Sequence, residues 1–335
     1  MLEITGLLEQ RENEHGTATG RPAGPPEYRD LIFQEQEGEA DMSNFIEVDS
    51  NTNRKCFIDE PDDIKADEDL TFILNLHGGG SHGTWQHRYF PAHDYRDKYR
   101  LIVATPSAAT REPTRRWVAE ADDEHLMTIV KLICRRYGQS RLTKFWLAGH
   151  SQGGMTSQRL LNQSYFADRV DGWLSLSGGR IGTAPRAPDA GRPSAPGSSP
   201  RPRVNLQRPD IPNCDFSFIY STGEHEIESL PETSPWAEKY GAESRVQLDD
   251  VTDTEPGQIY DTTCEGFMTK AWGRHPAPGT ANVFVYPGAR DDRVIADVVR
   301  LDKGHTEGLE PNVVDTLLGL ITKAPGGKLT KQKED

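Results

Sequence analysis

The fold turns on Phe145-Trp146-Leu147-Ala148-Gly149-His150-Ser151-Gln152-Gly153-Gly154-Met155. Its first four residues read as the end of a buried strand (Lys144 to Ala148), and Gly153 to Asn162 reads as a helix. Between them stands G-x-S-x-G. A serine on so tight a strand-to-helix turn needs small residues two before and two after, because the backbone there crowds its neighbours. The hydroxyl then projects above the sheet, and the helix N-terminus behind it favours developing negative charge. Ser151 is the candidate nucleophile.

Outward from this turn, further apolar runs have the length and bounding residues of strands. Phe45–Val48 and Arg54–Ile58 read as a pair around a turn at Asp49-Ser50-Asn51. Leu70–Leu76 and Leu101–Pro106 are near-continuous apolar runs, the pattern of strands buried on both faces. Gly172–Leu176, Asp215–Tyr220, Asn282–Tyr286 and Val294–Leu301 follow. Helical spacing occupies Glu124–Tyr137, with Asp122 and Asp123 at its acidic start, and Asn312–Thr322. Strands alternating with helices imply an α/β fold with a mainly parallel central sheet flanked by helices. One catalytic domain is expected over 41–325. A polar, Pro/Gly-rich N-terminal arm covers 1–40, and a charged tail expected to fray covers 326–335. The stretch 180–213, rich in Pro, Arg, Ser and Gly, interrupts two core strands and is a candidate lid.

A hydroxyl nucleophile in acyl transfer needs donors for an oxyanion, a base and an orienting acid. Leu76-His77-Gly78-Gly79-Gly80 ends the first buried strand, and its glycines let a carbonyl approach the main chain. The Gly79 N–H is the first choice of donor, with Gly80 as the alternative; the N–H of Gln152, the residue after the nucleophile, is the second donor. In chain order the acid and then the histidine follow the serine. His305, in Asp302-Lys303-Gly304-His305, stands between the last strand and the last helix and is preferred over His225 and His275. The turn Gly223-Glu224-His225-Glu226 supplies the acid. Glu226 is the first choice and Glu224 the alternative.

Other groupings are weaker. His77, His82, His87 and His93 fall in what reads as one loop, but their spacing is not a recognised ligand pattern. No carboxylate or thiolate set accompanies them, so no metal and no cofactor are expected. Trp85, Tyr89, Phe90, Tyr95, Arg111, Arg115, Arg116 and Trp117 surround the expected cleft and suggest a pocket for an aromatic group. The four cysteines, Cys56, Cys134, Cys214 and Cys264, are too few and too scattered for a disulfide scaffold. The formal net charge of −14 argues against nucleic-acid and anionic-membrane partners. No apolar run approaches the ~18 residues of a membrane span, and the first residues lack the pattern of a secretory signal. A cytoplasmic protein acting on a small molecule is expected.

The segment Ala148-Gly149-His150-Ser151-Gln152-Gly153-Gly154-Met155, with Leu76-His77-Gly78-Gly79, Asp122-Asp123 and Gly304-His305, resembles the α/β-hydrolase superfamily. Within it, the resemblance is to the polyhydroxybutyrate-depolymerase and feruloyl-esterase-like group, over roughly residues 45 to 322. It implies an α/β-hydrolase fold and a serine esterase with Ser151 as nucleophile, Glu226 as acid and His305 as base. The chain shows none of the disulfides or polymer-binding modules of secreted members, which favours a small soluble ester over a polymer. The rival expectations are another acyl bond (a hydroxyalkanoate oligomer, peptide, thioester or β-diketone) and a catalytically silent binding protein.

Overall fold

The computed structural model describes residues 44–49, 54–110, 114–182, 211–258, 273 and 277–333. The expected arm at 1–40, nearly all of the 180–213 insertion, Arg111, Cys264 and His275 lie outside these residues.

Among the described residues eleven strands form one sheet: β1 (Asn44–Asp49), β2 (Arg54–Asp59), β3 (Leu70–Leu76), β4 (Leu101–Pro106), β5 (Leu142–His150), β6 (Gly172–Leu176), β7 (Ser217–Gly223), β8 (Val246–Gln247), β9 (Val251–Thr252), β10 (Thr280–Val285) and β11 (Ile295–Arg300). The order is β1-β2-β4-β3-β5-β6-β7-β11-β10-β8, with β9 also on β10. From β4 to β11 all neighbours are parallel. Antiparallel pairs close both margins: β1 on β2 and β2 on β4 at one, β11 on β10 and β10 on β8 and β9 at the other.

The central strands are apolar throughout because both of their faces are covered. Along β5, Phe145 and Leu147 join one core, with Leu126, Ile129, Val130 and Ile133 of α3 (Ala119–Tyr137) and Leu160 of α4 (Gln152–Leu161). Trp146 and Ala148 join the other, with Trp85 and Tyr89 of α1 (Gly83–Tyr89) and Val314, Leu317 and Ile321 of α7 (Pro311–Lys323). That period of two is the pleat of the strand. The remaining helices are short: α2 (Arg96–Tyr99), α5 (Ser164–Ala167) and α6 (Pro235–Lys239). Among the described residues no helix is long and apolar enough to cross a membrane.

Three sequence expectations need correction. The histidine-bearing segment is α1 followed by a 3-10 turn over Ala92–Tyr95, because Trp85, Tyr89, Phe90 and Ala92 are all drawn into the core. Helix α3 begins earlier than its apolar spacing suggests, and Asp122 is buried. Its carboxylate accepts from Arg54 Nη1 at 2.6 Å, Ala109 N at 2.9 Å and Val118 N at 2.7 Å. The charged tail is docked as far as it is described. Leu329 is buried, Gln139 Nε2 donates to the Leu329 and Gln332 carbonyls, and Lys328 N donates to Asp171.

Candidate active site

The segments with chemical potential all leave the C-terminal ends of the parallel strands, where open α/β sheets bind ligands. Ser151 leaves β5 with φ 50° and ψ −116°, a backbone conformation that costs about 1–3 kcal/mol and needs its surroundings to enforce it. The surroundings do so. The Ser151 N–H donates to Leu176 O at 2.8 Å, holding the turn to the end of β6, while Ser151 O accepts from Met155 N at 3.1 Å and starts α4. The flanking glycines are steric requirements. A Cβ on Gly149 would come within 2.3 Å of the Gly153 backbone, and one on Gly153 within 2.2 Å of Leu76 O.

The turn after β3 is tied down by groups that the sequence left unassigned. His77 is fully buried, with Nδ1 donating to Gly78 O at 2.7 Å and Nε2 accepting from Ala108 N at 3.0 Å. Burial lowers its pKa to about 3, so the ring is neutral. Trp117 Nε1 donates to His77 O at 2.8 Å, and Gly80 N donates to Arg115 O at 2.6 Å. The side chain of Gln152 closes this frame: Trp117 N donates to its Oε1 at 3.2 Å and its Nε2 donates to Trp117 O at 3.4 Å. Gly80 has thus committed its N–H. Those of Gly79 and Gln152, the latter at the first position of α4, take no partner among the described residues. Trp117, Tyr89 and Phe90, which the sequence placed around the expected cleft, are buried.

At β7 and β11 two loops meet. Glu226 Oε2 lies 2.5 Å from His305 Nδ1. Its other oxygen accepts from Ser177 Oγ at 2.7 Å, Gly223 N at 2.9 Å and Thr222 Oγ1 at 3.4 Å. Burial alone would raise the Glu226 pKa, but the facing His305 and these donors outweigh it and hold the carboxyl below its usual range. Glu224 instead accepts from Asp302 N at 2.8 Å, and His225 Nε2 pairs with Asp302 Oδ1 at 2.8 Å. The structure therefore joins Glu226 to His305 and turns Glu224 and His225 to a different loop position.

Arg300 and His150 also escaped the sequence reading. Arg300, buried at the end of β11, donates to Glu307 O at 2.8 Å, Gly308 O at 2.7 Å and Glu310 Oε2 at 2.9 Å, and so braces the loop that carries His305. His150, beside the serine, donates from Nε2 to His305 O at 2.8 Å. Burial first, and then the nearby His305, hold His150 well below its ordinary pKa. Its ring packs on Tyr89 at 4.1 Å and Trp85 at 5.2 Å. Motif spacing suggests neither role, because both arise from contacts between distant loops.

The strand order and the serine-bearing turn define an α/β-hydrolase fold. No protein-family model and no curated protein matches the chain. Among solved structures, the chain is similar to an acetyl xylan esterase from Aspergillus awamori at 12% identity, covering 83% of this chain and 98% of that one with a TM-score of 0.43. Another is the fluorophosphonate-binding serine hydrolase F of Staphylococcus aureus, at 14% identity, 54% and 78% coverage and a TM-score of 0.34. A third is an esterase from Thermogutta terrifontis, at 16% identity, 54% and 72% coverage and a TM-score of 0.35. Likenesses this distant carry no weight for the chemistry, which rests on the side chains.

Proposed function

We propose that the protein is a serine hydrolase that cleaves the carboxylic ester of a small soluble substrate through an acyl-enzyme. The observation that carries this reading is the 2.5 Å Glu226–His305 contact, on loops adjoining the strained turn that bears Ser151. His305 Nε2 takes the proton of Ser151 as Oγ attacks the ester carbonyl, and anionic Glu226 orients the ring and stabilises its cation. The oxyanion is held by the Gly79 and Gln152 N–H groups, a type of stabilisation worth several kcal/mol. Collapse expels the alcohol, which takes the proton from His305. Water, deprotonated by His305, then attacks the acyl-enzyme and restores Ser151. Every proton and electron pair in this cycle is carried by the chain, the ester or water.

Hydrolysis of p-nitrophenyl acetate by the wild type and by Ser151→Ala tests the reading, together with fluorophosphonate labelling. The expectation is turnover and stoichiometric labelling of the wild type, both lost in the variant. Neither turnover nor labelling in the wild type would overturn the proposal in favour of a silent binding protein. A panel of short-chain, hydroxyalkanoate, cinnamoyl and thioester substrates then ranks the acyl bonds.

A further inference from the structure

Ser177 stands where the turn of the candidate nucleophile meets the strand of the candidate acid. It leaves β6 with φ 52°, the left-handed region that a residue with a side chain occupies only at a cost. Its neighbours fix it there. Leu176 O accepts from Ser151 N at 2.8 Å, and Ser177 N donates to Ser221 O of β7 at 2.7 Å. The next residue, Gly178, is wedged against the serine turn, since a Cβ there would come within 2.6 Å of Gly154 Cα. So held, the Ser177 hydroxyl donates to Glu226 Oε1 at 2.7 Å.

A hydroxyl has one proton, and this one is committed to Glu226, so a further partner must donate to Ser177 Oγ. That partner is the hydroxyl of Tyr89, a buried residue of α1. Burial raises the Tyr89 pKa, which keeps the phenol protonated and able to donate. The donors therefore run from Tyr89 to Ser177 to Glu226 Oε1, while Glu226 Oε2 faces His305 Nδ1 at 2.5 Å. We propose that Ser177, oriented by Tyr89, is a positioning residue that fixes the direction in which Glu226 presents its second oxygen to His305. The inference rests on the serine-hydrolase reading.

The other donors to Oε1 among the described residues, Gly223 N and Thr222 Oγ1, belong to the acid's own strand end and move with it. Ser177 comes from β6 and ties the carboxylate to the strand end that also holds Ser151 N. Tyr89 reaches the base as well. Its carbonyl accepts from Leu309 N at 2.9 Å, just beyond His305, and its ring lies 4.1 Å from His150, which donates to His305 O. One residue of α1 thus supports the acid through Ser177 and borders the loop of the base.

Steady-state kinetics on p-nitrophenyl acetate, with thermal unfolding of each protein, test the proposal. Ser177→Gly removes the hydroxyl and relieves the left-handed backbone, whereas Ser177→Ala removes the hydroxyl and keeps the strain. Both should lose about ten- to hundred-fold in kcat, the scale of a hydrogen bond to a charged group. KM should stay near wild type in both, and the glycine variant should have the higher Tm. Tyr89→Phe keeps the packed ring and should lose up to about ten-fold in kcat. In the Ser177→Gly background it should cost nothing further, because its effect passes through the serine. Wild-type kcat in Ser177→Gly, or a Tyr89→Phe loss of the same size in both backgrounds, would overturn the proposal, since activity would then follow strain or packing. A wild type that neither hydrolyses the ester nor takes a fluorophosphonate label would instead fail the serine-hydrolase reading, and this inference with it. That outcome is read on the wild type alone.

Discussion

Glu226–His305 and Asp59–His87 are both pairs of a sequestered carboxylate and an imidazole, but they are wired differently. Three donors occupy Glu226 Oε1, leaving a single oxygen to face His305 at 2.5 Å. On Asp59 both oxygens stand almost equidistant from one His87 nitrogen, and a second imidazole is stacked behind. A carboxylate with one saturated oxygen has a fixed direction, which suits holding a ring in one tautomer while its far nitrogen moves a proton. A carboxylate whose two oxygens share one nitrogen gives the ring no such direction. Both pairs join a carboxylate to an imidazole, and the donors around the carboxylate distinguish them.

The largest expected effect tests that distinction directly. Glu226→Gln should lower kcat for p-nitrophenyl acetate by about 10³–10⁴-fold, because the amide no longer favours the working tautomer of His305. Glu224→Gln, whose carboxylate serves the Asp302 backbone, should leave kcat near wild type, and so should Asp59→Asn. If Glu224→Gln abolished turnover while Glu226→Gln did not, the wiring would have been misread and the acid would be Glu224.

The first pair was largely legible in the sequence, and the second was not. The G-H-S-Q-G turn is local, the strand beneath it is an unbroken apolar run, and chain order together with a place between the last strand and the last helix points to His305. The preference for Glu226 over Glu224 rested on position alone, since both stand in one 3-10 turn, and their different partners are set by contacts with residues 302 and 305. The histidines of α1 and its following turn were visible as a group, but without a carboxylate they formed no recognisable set. Asp59 joins them from a different strand, a juxtaposition that spacing does not encode. The partner of Asp122 is equally remote in the chain: the sequence places this residue at an acidic helix start, and Arg54 of β2 donates to it inside the fold.

The buried histidines sharpen the comparison through pH. His77 has a pKa of about 3 in the folded chain, against 6.5 for an ordinary imidazole. The unfolded chain therefore binds a proton that the folded chain refuses, and stability falls as pH drops below about 6.5. Between pH 7 and pH 5 the loss from this residue amounts to about 2 kcal/mol. His77→Asn should lose correspondingly less stability over the same interval, as read from urea midpoints at the two pH values. Parallel losses in the two proteins would mean that His77 is protonated in the fold, contrary to its accepting a hydrogen bond from Ala108 N at Nε2.

The smallest effect concerns how the His305 backbone is held. His150 reaches across from the serine turn, donating to His305 O at 2.8 Å, while its Nδ1 has no partner among the described residues. One neutral hydrogen bond contributes about 0.5–1.5 kcal/mol, so losing it should lower kcat by no more than about ten-fold. His150→Phe keeps a flat ring against Tyr89 and Trp85 but removes the donor, so kcat should fall while KM stays close to wild type. His150→Gln offers a donor again and should recover part of the loss. A role in packing alone would give the opposite order, with Phe tolerated and Gln damaging. The Phe–Gln comparison therefore separates a residue that positions the base through its backbone from one that merely fills space beside it.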